Sequence, residues 1–460
     1  MKRILIVAYY FPPVAASGAM RPLAFSRFLD SYGWSPRVLA AHRDSVYPVH
    51  PVDSQLLDKL PDGVKVDAVR HGNPIQTIIA LRDKLLGAAN KSMNRSVSHT
   101  VAPTGAELSQ PGTGQLAGFK EYLLDRMFAF PDPQCAWLNP ALTFATKMPG
   151  TETPHVVFAT GGPWTSFLVG RRLAEFWRVP FIADYRDPWT GNPYVSFGSK
   201  SLNERARQLE RGICEAAARV ITNTHELRER LVKDYPNIEK KSLTITNGFD
   251  PDSFAVALEG SGKPNTVKNR LELCHFGTVY GKRTPEVLLK VVVDLHKMGK
   301  VDSTKLCLKF VGAWEVAGRD CEDLAQSLEK VGMLERHPPV PYQACLQQMS
   351  KADALLVIQP DSPMQIPGKI YEYIATGRPL LLVGGEGATA NLVQRHRLGL
   401  ACANNAEKIR HTLLHAIEHP EALAVPDREE VNRFNYRSLT ASLAKTLDEL
   451  DPAWQRRRGA

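Results

Sequence analysis

Short apolar runs of strand length alternate with stretches of helical periodicity along most of the chain. Arg3 to Ala8 is the first apolar run, and a stiff Phe-Pro-Pro loop from Phe11 to Gly18 follows it. From Ala19 to Tyr32 the apolar positions Leu23, Phe28, Leu29 and Tyr32 recur at helical spacing, with Gly33 as the stop. Arg37 to Ala40 returns as a second strand, so the chain opens on a βαβ unit. Further strands are predicted at His155 to Ala159, Val179 to Ala183, Arg219 to Asn223 and Leu243 to Thr246. Residues 201–218 read as a charged amphipathic helix, with Leu209, Ile213 and Ala217 inward and Arg205, Arg207, Glu210 and Arg211 outward. In the second half, Leu271 to Phe276, Lys305 to Gly312, Ala354 to Ile358 and Leu380 to Val383 read as strands. Helices are predicted at Glu286 to Leu295, at Tyr342 to Met349, and from Lys369 to a stop at Gly377. The alternation predicts an α/β protein with two doubly wound parallel-sheet, Rossmann-like domains and a cleft between them. Their expected extents are 1–248 and 249–428, and 429–460 carries a last amphipathic helix at 440–450. Residues 94–118, rich in Ser, Thr, Gly, Pro and Gln, read as an exposed, mobile loop, and Glu259 to Lys268 as a surface loop at the domain seam.

Composition narrows the class. A chain of 460 residues, 43% hydrophobic and 23% charged, is an ordinary globular protein with room for two or three domains. Its seven cysteines are odd in number and scattered without a C-x-x-C pair, which favours reduced thiols in a cytosol over a disulfide framework or zinc site. The basic, apolar start at Met1 to Tyr10 mimics a signal peptide but is too short and ends in Pro-Pro. No apolar stretch approaches the length of a membrane span. The net charge of +9 points to an anionic partner: a phosphorylated substrate, an acidic membrane surface or nucleic acid. No Lys/Arg block interleaved with aromatics appears, which argues against nucleic acid. The expected place is the cytoplasm, with peripheral contact at the inner face of an anionic membrane.

Candidate chemistry gathers where strands end. The run Pro-Gly-Lys-Ile-Tyr-Glu at 367–372 sets Lys369 and Glu372 in the first turn of a helix, where free backbone N–H groups and a mobile ammonium attract anions. A carboxylate such as Glu372 suits vicinal hydroxyls, so phosphate and ribose together suggest a nucleotide; ordinary helix capping is the plain alternative. Gly277 followed by Lys282 and Arg283, just before a helix, makes a second such site. In the first half, Gly161-Gly162 allows close backbone approach, and Asp184-Tyr185-Arg186-Asp187-Pro188-Trp189 places two carboxylates, a guanidinium and a tryptophan at a strand's end. A structural Asp–Arg pair is the bland account of that block. Asp250-Pro251-Asp252 is formally D-x-D but follows an Asn-Gly turn and reads as a turn element, so no metal site is assigned.

The run ending in Ala375-Thr376-Gly377-Arg378-Pro379, the opening "FPP…G…R…L…GW", the Arg186-Asp187-Pro188-Trp189 block and "NGFDPDSF" at 247–254 together resemble family 4 glycosyltransferases of GT-B fold, the polysaccharide-biosynthesis type. The resemblance implies that Glu372 holds the donor ribose and that Gly277, Arg283 and Lys282 bind the donor diphosphate. It also implies that Ser17, Gly18 and Arg21 line the cleft beside Gly161, Gly162 and Asp184, on the acceptor side. Many members have a His where Arg186 stands, so Arg186 keeps a charge-stabilising role beside Asp187, and no base role passes to it. A first glutamate usual eight residues before the ribose-binding one is replaced by Met364, with Asp361 as a substitute. The implied reaction is metal-independent, retaining transfer from a nucleotide-sugar to an acceptor hydroxyl, lipid-linked or on a growing polysaccharide, with Arg283 and Lys369 stabilising the leaving diphosphate and no cofactor. A sugar-nucleotide epimerase or hydrolase of the same fold, or a non-catalytic nucleotide-sugar-binding subunit, are the alternatives. In such proteins the last helix returns to the first domain.

Overall fold

The computed structural model describes residues 2–47, 50–72, 130–192, 197, 199–258, 270–281, 283–316, 319–359, 362–423 and 425–458. The predicted loops at 94–118 and 259–268, and the candidate residues Lys282 and Asp361, lie outside them. The chain divides into two compact units, Met1–Ile245 with Thr440–Ala460, and Thr246–Leu439.

The first unit is built on β1 (Lys2–Val7), β2 (Trp34–Ala41), β3 (Lys65–Val69), β4 (Val156–Gly161), β5 (Phe181–Tyr185), β6 (Arg219–Thr222) and β7 (Ser242–Thr244). They form one sheet in the order β3-β2-β1-β4-β5-β6-β7, parallel at every pairing. Central strands are continuous apolar runs because helices cover both faces of such a sheet, and every residue of β4 is buried. The opening helix, Ser17–Phe28, tightens into a 3₁₀ turn at Leu29–Tyr32 and ends on Gly33, whose φ of 80° is the left-handed C-cap. Tyr32, expected inward, is 39% exposed, since the tighter turn rotates it off the helix's apolar stripe.

A second correction concerns the helix Lys200–Ala216. Glu210, expected on its solvated face, is wholly buried. Its carboxylate accepts hydrogen bonds from the Thr190 hydroxyl, from Tyr235 Oη at 3.0 Å and from Arg230 at 3.3 Å. A charge is tolerated inside when it is paired and hydrogen-bonded in this way.

The second unit repeats the plan with β8 (Leu271–Phe276), β9 (Val279–Tyr280), β10 (Leu306–Val311), β11 (Trp314–Glu315), β12 (Leu334–His337), β13 (Ala354–Gln359), β14 (Leu380–Gly384) and β15 (Gly399–Cys402). Its main sheet runs β12-β10-β8-β13-β14-β15, again all parallel, while β11 and β9 pair beyond the ends of β10 and β8. Along β13 the side chains alternate between two cores. Leu355 and Val357 join the helices Tyr342–Met349, Lys369–Ala375 and Ala388–Arg395, whereas Ala354, Leu356 and Ile358 join Glu286–Lys297, Arg319–Lys330 and Ala406–Glu418. In each unit strand order reverses beside the first strand, between β1 and β4 and between β8 and β13. Such switch points open a crevice at the carboxyl ends of the strands, where ligands bind in doubly wound folds.

The segments linking the units lie side by side. Phe249 N–H donates to Phe434 O at 3.0 Å, and Tyr436 N–H to Phe249 O at 3.1 Å. Only glycine fits at 248, because a Cβ there would lie 2.3 Å from Phe434 O. Asp250 and Asp252 are occupied nearby: Asp250 accepts from Asp252 N–H at 3.2 Å and from the Ser253 hydroxyl at 2.9 Å, and Asp252 pairs with Arg437 at 3.0 Å. The Asp-Pro-Asp stretch thus starts the helix Pro251–Leu258. All seven cysteines are free thiols. Among the described residues no helix is long and apolar enough to cross a membrane.

Candidate functional site

At the carboxyl ends of β1, β4 and β5, three loops of the first unit converge on Arg186. Its guanidinium donates through Nε to Gly161 O at 3.1 Å and through one Nη to Gly162 O. Gly18 backs onto the same group, since a Cβ there would fall 2.4 Å from Nη1. Asp187 Oδ2 lies 3.7 Å from where a Cβ on Gly162 would stand. Gly18, Gly161, Gly162, Arg186 and Asp187 are therefore one cluster, although 169 positions separate the first from the last. Arg186 is only 9% exposed; burial lowers its proton affinity, and the charges of Asp187 and Asp184 oppose that. Behind it Trp164 stacks on Trp189 at 5.3 Å and 8°, which fixes the Pro188-Trp189 end of the block. Ser17, the first residue of its helix, is exposed.

Arg21 and Asp184 take a different place from the one expected. They are 1% and 0% exposed, interior residues and not wall residues. Arg21 donates to Asp184 from Nη2 at 2.7 Å and from Nε at 3.0 Å, and reaches Ile245 O at 2.8 Å. Thr160 adds a hydroxyl donor to Asp184 at 2.8 Å. A structural Asp–Arg pair is thus present, and Arg21 is the cation paired with Asp184.

In the second unit the end of β8 meets the helix Lys369–Ala375. Tyr373 Oη receives the Phe276 N–H at 2.7 Å and donates to Phe276 O at 3.1 Å, pinning that helix to the strand end just before Gly277. A Cβ on Gly277 would stand 4.0 Å from Lys369 Nζ and 3.9 Å from His275 Nε2, so all three share one space. The charges of Lys369 and Arg283 both lower the proton affinity of His275. Arg283 lies 5.6 Å over the Tyr280 ring. Among the described residues neither Arg283 nor Lys369 is in an ion pair. With seven residues the helix has a short dipole, and the side-chain cations dominate the field here.

Glu372 faces the same region. Oε1 accepts from Tyr342 Oη at 3.3 Å, while Oε2 is buried with no hydrogen-bond partner among the described residues. Burial pushes its carboxyl above the usual range, and Lys369 and the Tyr342 hydroxyl pull the other way. An acceptor held in this way costs free energy until a donor arrives, so the geometry invites a hydroxyl. Met364 is half-buried. The pattern reading missed His275 and Tyr342. A histidine within the otherwise apolar end of β8 was a usable signal; Tyr342 offered none. Among the described residues no group of three or more His, Cys, Asp or Glu could hold a metal ion.

Two doubly wound α/β units, each with ligand-ready groups at the ends of its strands, make up the GT-B type of glycosyltransferase fold. The solved structures similar to this chain share it. Anabaena HepE in complex with UDP and glucose is 14% identical with a TM-score of 0.57, over 98% of this chain and 100% of that one. Sucrose-phosphate synthase from Thermosynechococcus elongatus is 14% identical with a TM-score of 0.58, over 98% and 100%. The catalytic domain of starch synthase IV from Arabidopsis thaliana, bound to ADP and acarbose, is 11% identical with a TM-score of 0.53, over 99% of each chain. The Glycosyltransferase Family 4 profile matches residues 99–253. Among curated protein sequences none matches the chain.

Proposed function

We propose that the protein is a glycosyltransferase of family 4 type that moves a sugar from a nucleotide-sugar to an acceptor hydroxyl. One observation carries this reading: Lys369, a cation outside any described ion pair, stands beside Gly277 and acts on Glu372, whose buried Oε2 lacks a donor among the described residues, while Arg283, likewise outside any described ion pair, adds its charge at His275. Such a set fits a nucleoside diphosphate, with the phosphates on the cations and a ribose hydroxyl on Glu372. UDP in the HepE structure and ADP in the starch synthase structure make a nucleotide ligand reasonable for this fold.

Charge builds on the diphosphate as the glycosidic bond breaks, and Arg283 and Lys369 are suited to stabilise it, with no bound ion assigned to that task. Retention of configuration follows the family resemblance. In the first unit, Arg186, Asp187, Gly161, Gly162, Gly18 and Ser17 are the groups suited to the acceptor side, and Arg21 and Asp184 act behind them as a support. The acceptor is a lipid-linked or growing polysaccharide, reached at the cytoplasmic face of an anionic membrane. Glu372→Ala and Arg283→Ala are each expected to weaken UDP, GDP or ADP binding at least about tenfold, equal to about 1.4 kcal/mol. Calorimetry with the three nucleotides measures this; unchanged affinity in both variants removes the site. Donor consumed only when an acceptor extract is present, followed by NMR, separates transfer from hydrolysis or epimerisation.

A further inference from the structure

We propose that His275 reads a hydroxyl group on the sugar of the donor, accepting its hydrogen bond at Nε2. The inference rests on the second unit being the donor site and goes further by assigning a residue that sees the sugar and not the nucleotide.

The tautomer is fixed by chemistry. His275 Nδ1 lies 3.0 Å from Leu356 O on the neighbouring strand β13. A carbonyl oxygen only accepts, so Nδ1 carries the proton. The ring also stays neutral: burial pushes its pKa down to about 4, Lys369 and Arg283 add to the fall, and the bond to Leu356 opposes it. A neutral imidazole protonated at Nδ1 presents a lone pair at Nε2. That atom lies 3.9 Å from the Cβ position of Gly277, and Lys369 Nζ stands 4.0 Å from the same point. The acceptor therefore opens onto the region assigned to the diphosphate.

The nature of its partner follows by elimination among the groups of a nucleotide-sugar. A phosphate oxygen is itself an acceptor and repels a lone pair. The ribose hydroxyls are matched to Glu372, whose buried Oε2 needs a donor. The Lys369 ammonium makes no hydrogen bond to the ring, and none to any other described residue. What remains next to a diphosphate is the transferred sugar, whose hydroxyls are donors. An uncharged acceptor set among cations suits that role, since a carboxylate in the same place would pair with Lys369 or Arg283 and shield the phosphates from them.

The test compares nucleotide with nucleotide-sugar on the full-length protein. UDP and UDP-glucose, ADP and ADP-glucose, and GDP and GDP-mannose are titrated calorimetrically into the wild type, His275→Phe and His275→Gln. For the pair that binds, His275→Phe is expected to leave the nucleoside diphosphate affinity within about twofold and to lower that of the nucleotide-sugar about tenfold. His275→Gln, whose amide oxygen can reach the Nε2 position, is expected to recover most of the loss. Equal weakening of both ligands means that the ring only supports Lys369 or the strand end, and overturns the inference; so does no weakening of either. If the wild type binds none of the nucleoside diphosphates, the donor-site reading itself fails and this inference falls with it. Should His275→Phe not fold, His275→Gln against His275→Leu gives the same comparison.

Discussion

Arg21 and Asp184 show how far one buried pair can reach. It joins the first helix, the end of β5 and, through Ile245 O, the last residue before the chain leaves the first unit. Removing only the cation leaves a carboxylate in the interior with the Thr160 hydroxyl as its remaining side-chain donor among the described residues. Arg21→Met is therefore expected to destabilise the protein by about 3–5 kcal/mol, and Arg21→Met with Asp184→Asn by clearly less, as read from denaturant unfolding. A double variant no more stable than the single would contradict the account. The same pair marks a limit of sequence reasoning. An Arg at a helix start and an Asp at a strand end were both visible as chemistry, but 163 positions separate them, and nothing local says that each is the other's partner. Glu210 failed for the same reason, because Thr190, Arg230 and Tyr235 make its burial possible. Gly277, Arg283, Lys369 and Glu372 were easier to single out, since each sits at a strand-to-helix junction that glycine and proline punctuate.

At the scale of elements, the buried strands were legible almost to the residue. Leu271–Phe276 and the helix Tyr342–Met349 match their expected bounds, most other central strands shift by one or two positions, and β2 begins three residues earlier than expected, at Trp34. Continuous apolar runs leave little freedom when helices cover both faces. The strands that escaped were edge or short ones, such as β3 (KVDAV), β12 (LERH) and the two-residue β9 and β11, which carry no such run. They nevertheless shape the site. Gly312, with φ of 148°, closes β10 so tightly that a Cβ would lie 2.2 Å from Gly277 O. Gly312→Ala is therefore expected to disturb the backbone at Gly277, the residue beside Lys369. The expected result is a loss of about 1–3 kcal/mol in stability together with at least about tenfold weaker nucleotide binding. Gly332→Ala is the control: its φ is 72° and its nearest contact would be Ser303 at 3.6 Å. It should lower the melting temperature and leave nucleotide affinity unchanged, so an equal effect of both variants on affinity would refute the role given to Gly312.

For the whole molecule, the first unit is made from both ends of the chain. The helix Tyr436–Arg458 begins in the second unit and from Thr440 packs with the first. Leu443 and Leu447 are fully buried there, and Leu450 nearly so. Asp448 then fastens the helix to the first βαβ unit, accepting from Trp34 Nε1 at 3.0 Å and from Lys2 Nζ at 2.9 Å. The apolar contacts should dominate, because the Lys2 pair is solvent-exposed and the Trp34 bond is a single one. Leu447→Ala is accordingly expected to destabilise by about 2–5 kcal/mol. Asp448→Ala should cost only about 1 kcal/mol. Calorimetric unfolding distinguishes the two magnitudes, and the loss in Leu447→Ala should appear in the transition of the first unit. Nucleoside diphosphate affinity, which we propose resides in groups lying between Gly277 and Glu372, should not change at permissive temperature. If Leu447→Ala instead lowered that affinity in proportion to its loss of stability, the two units could not be treated as separate cooperative bodies, and the assignment of donor binding to the second alone would have to be abandoned.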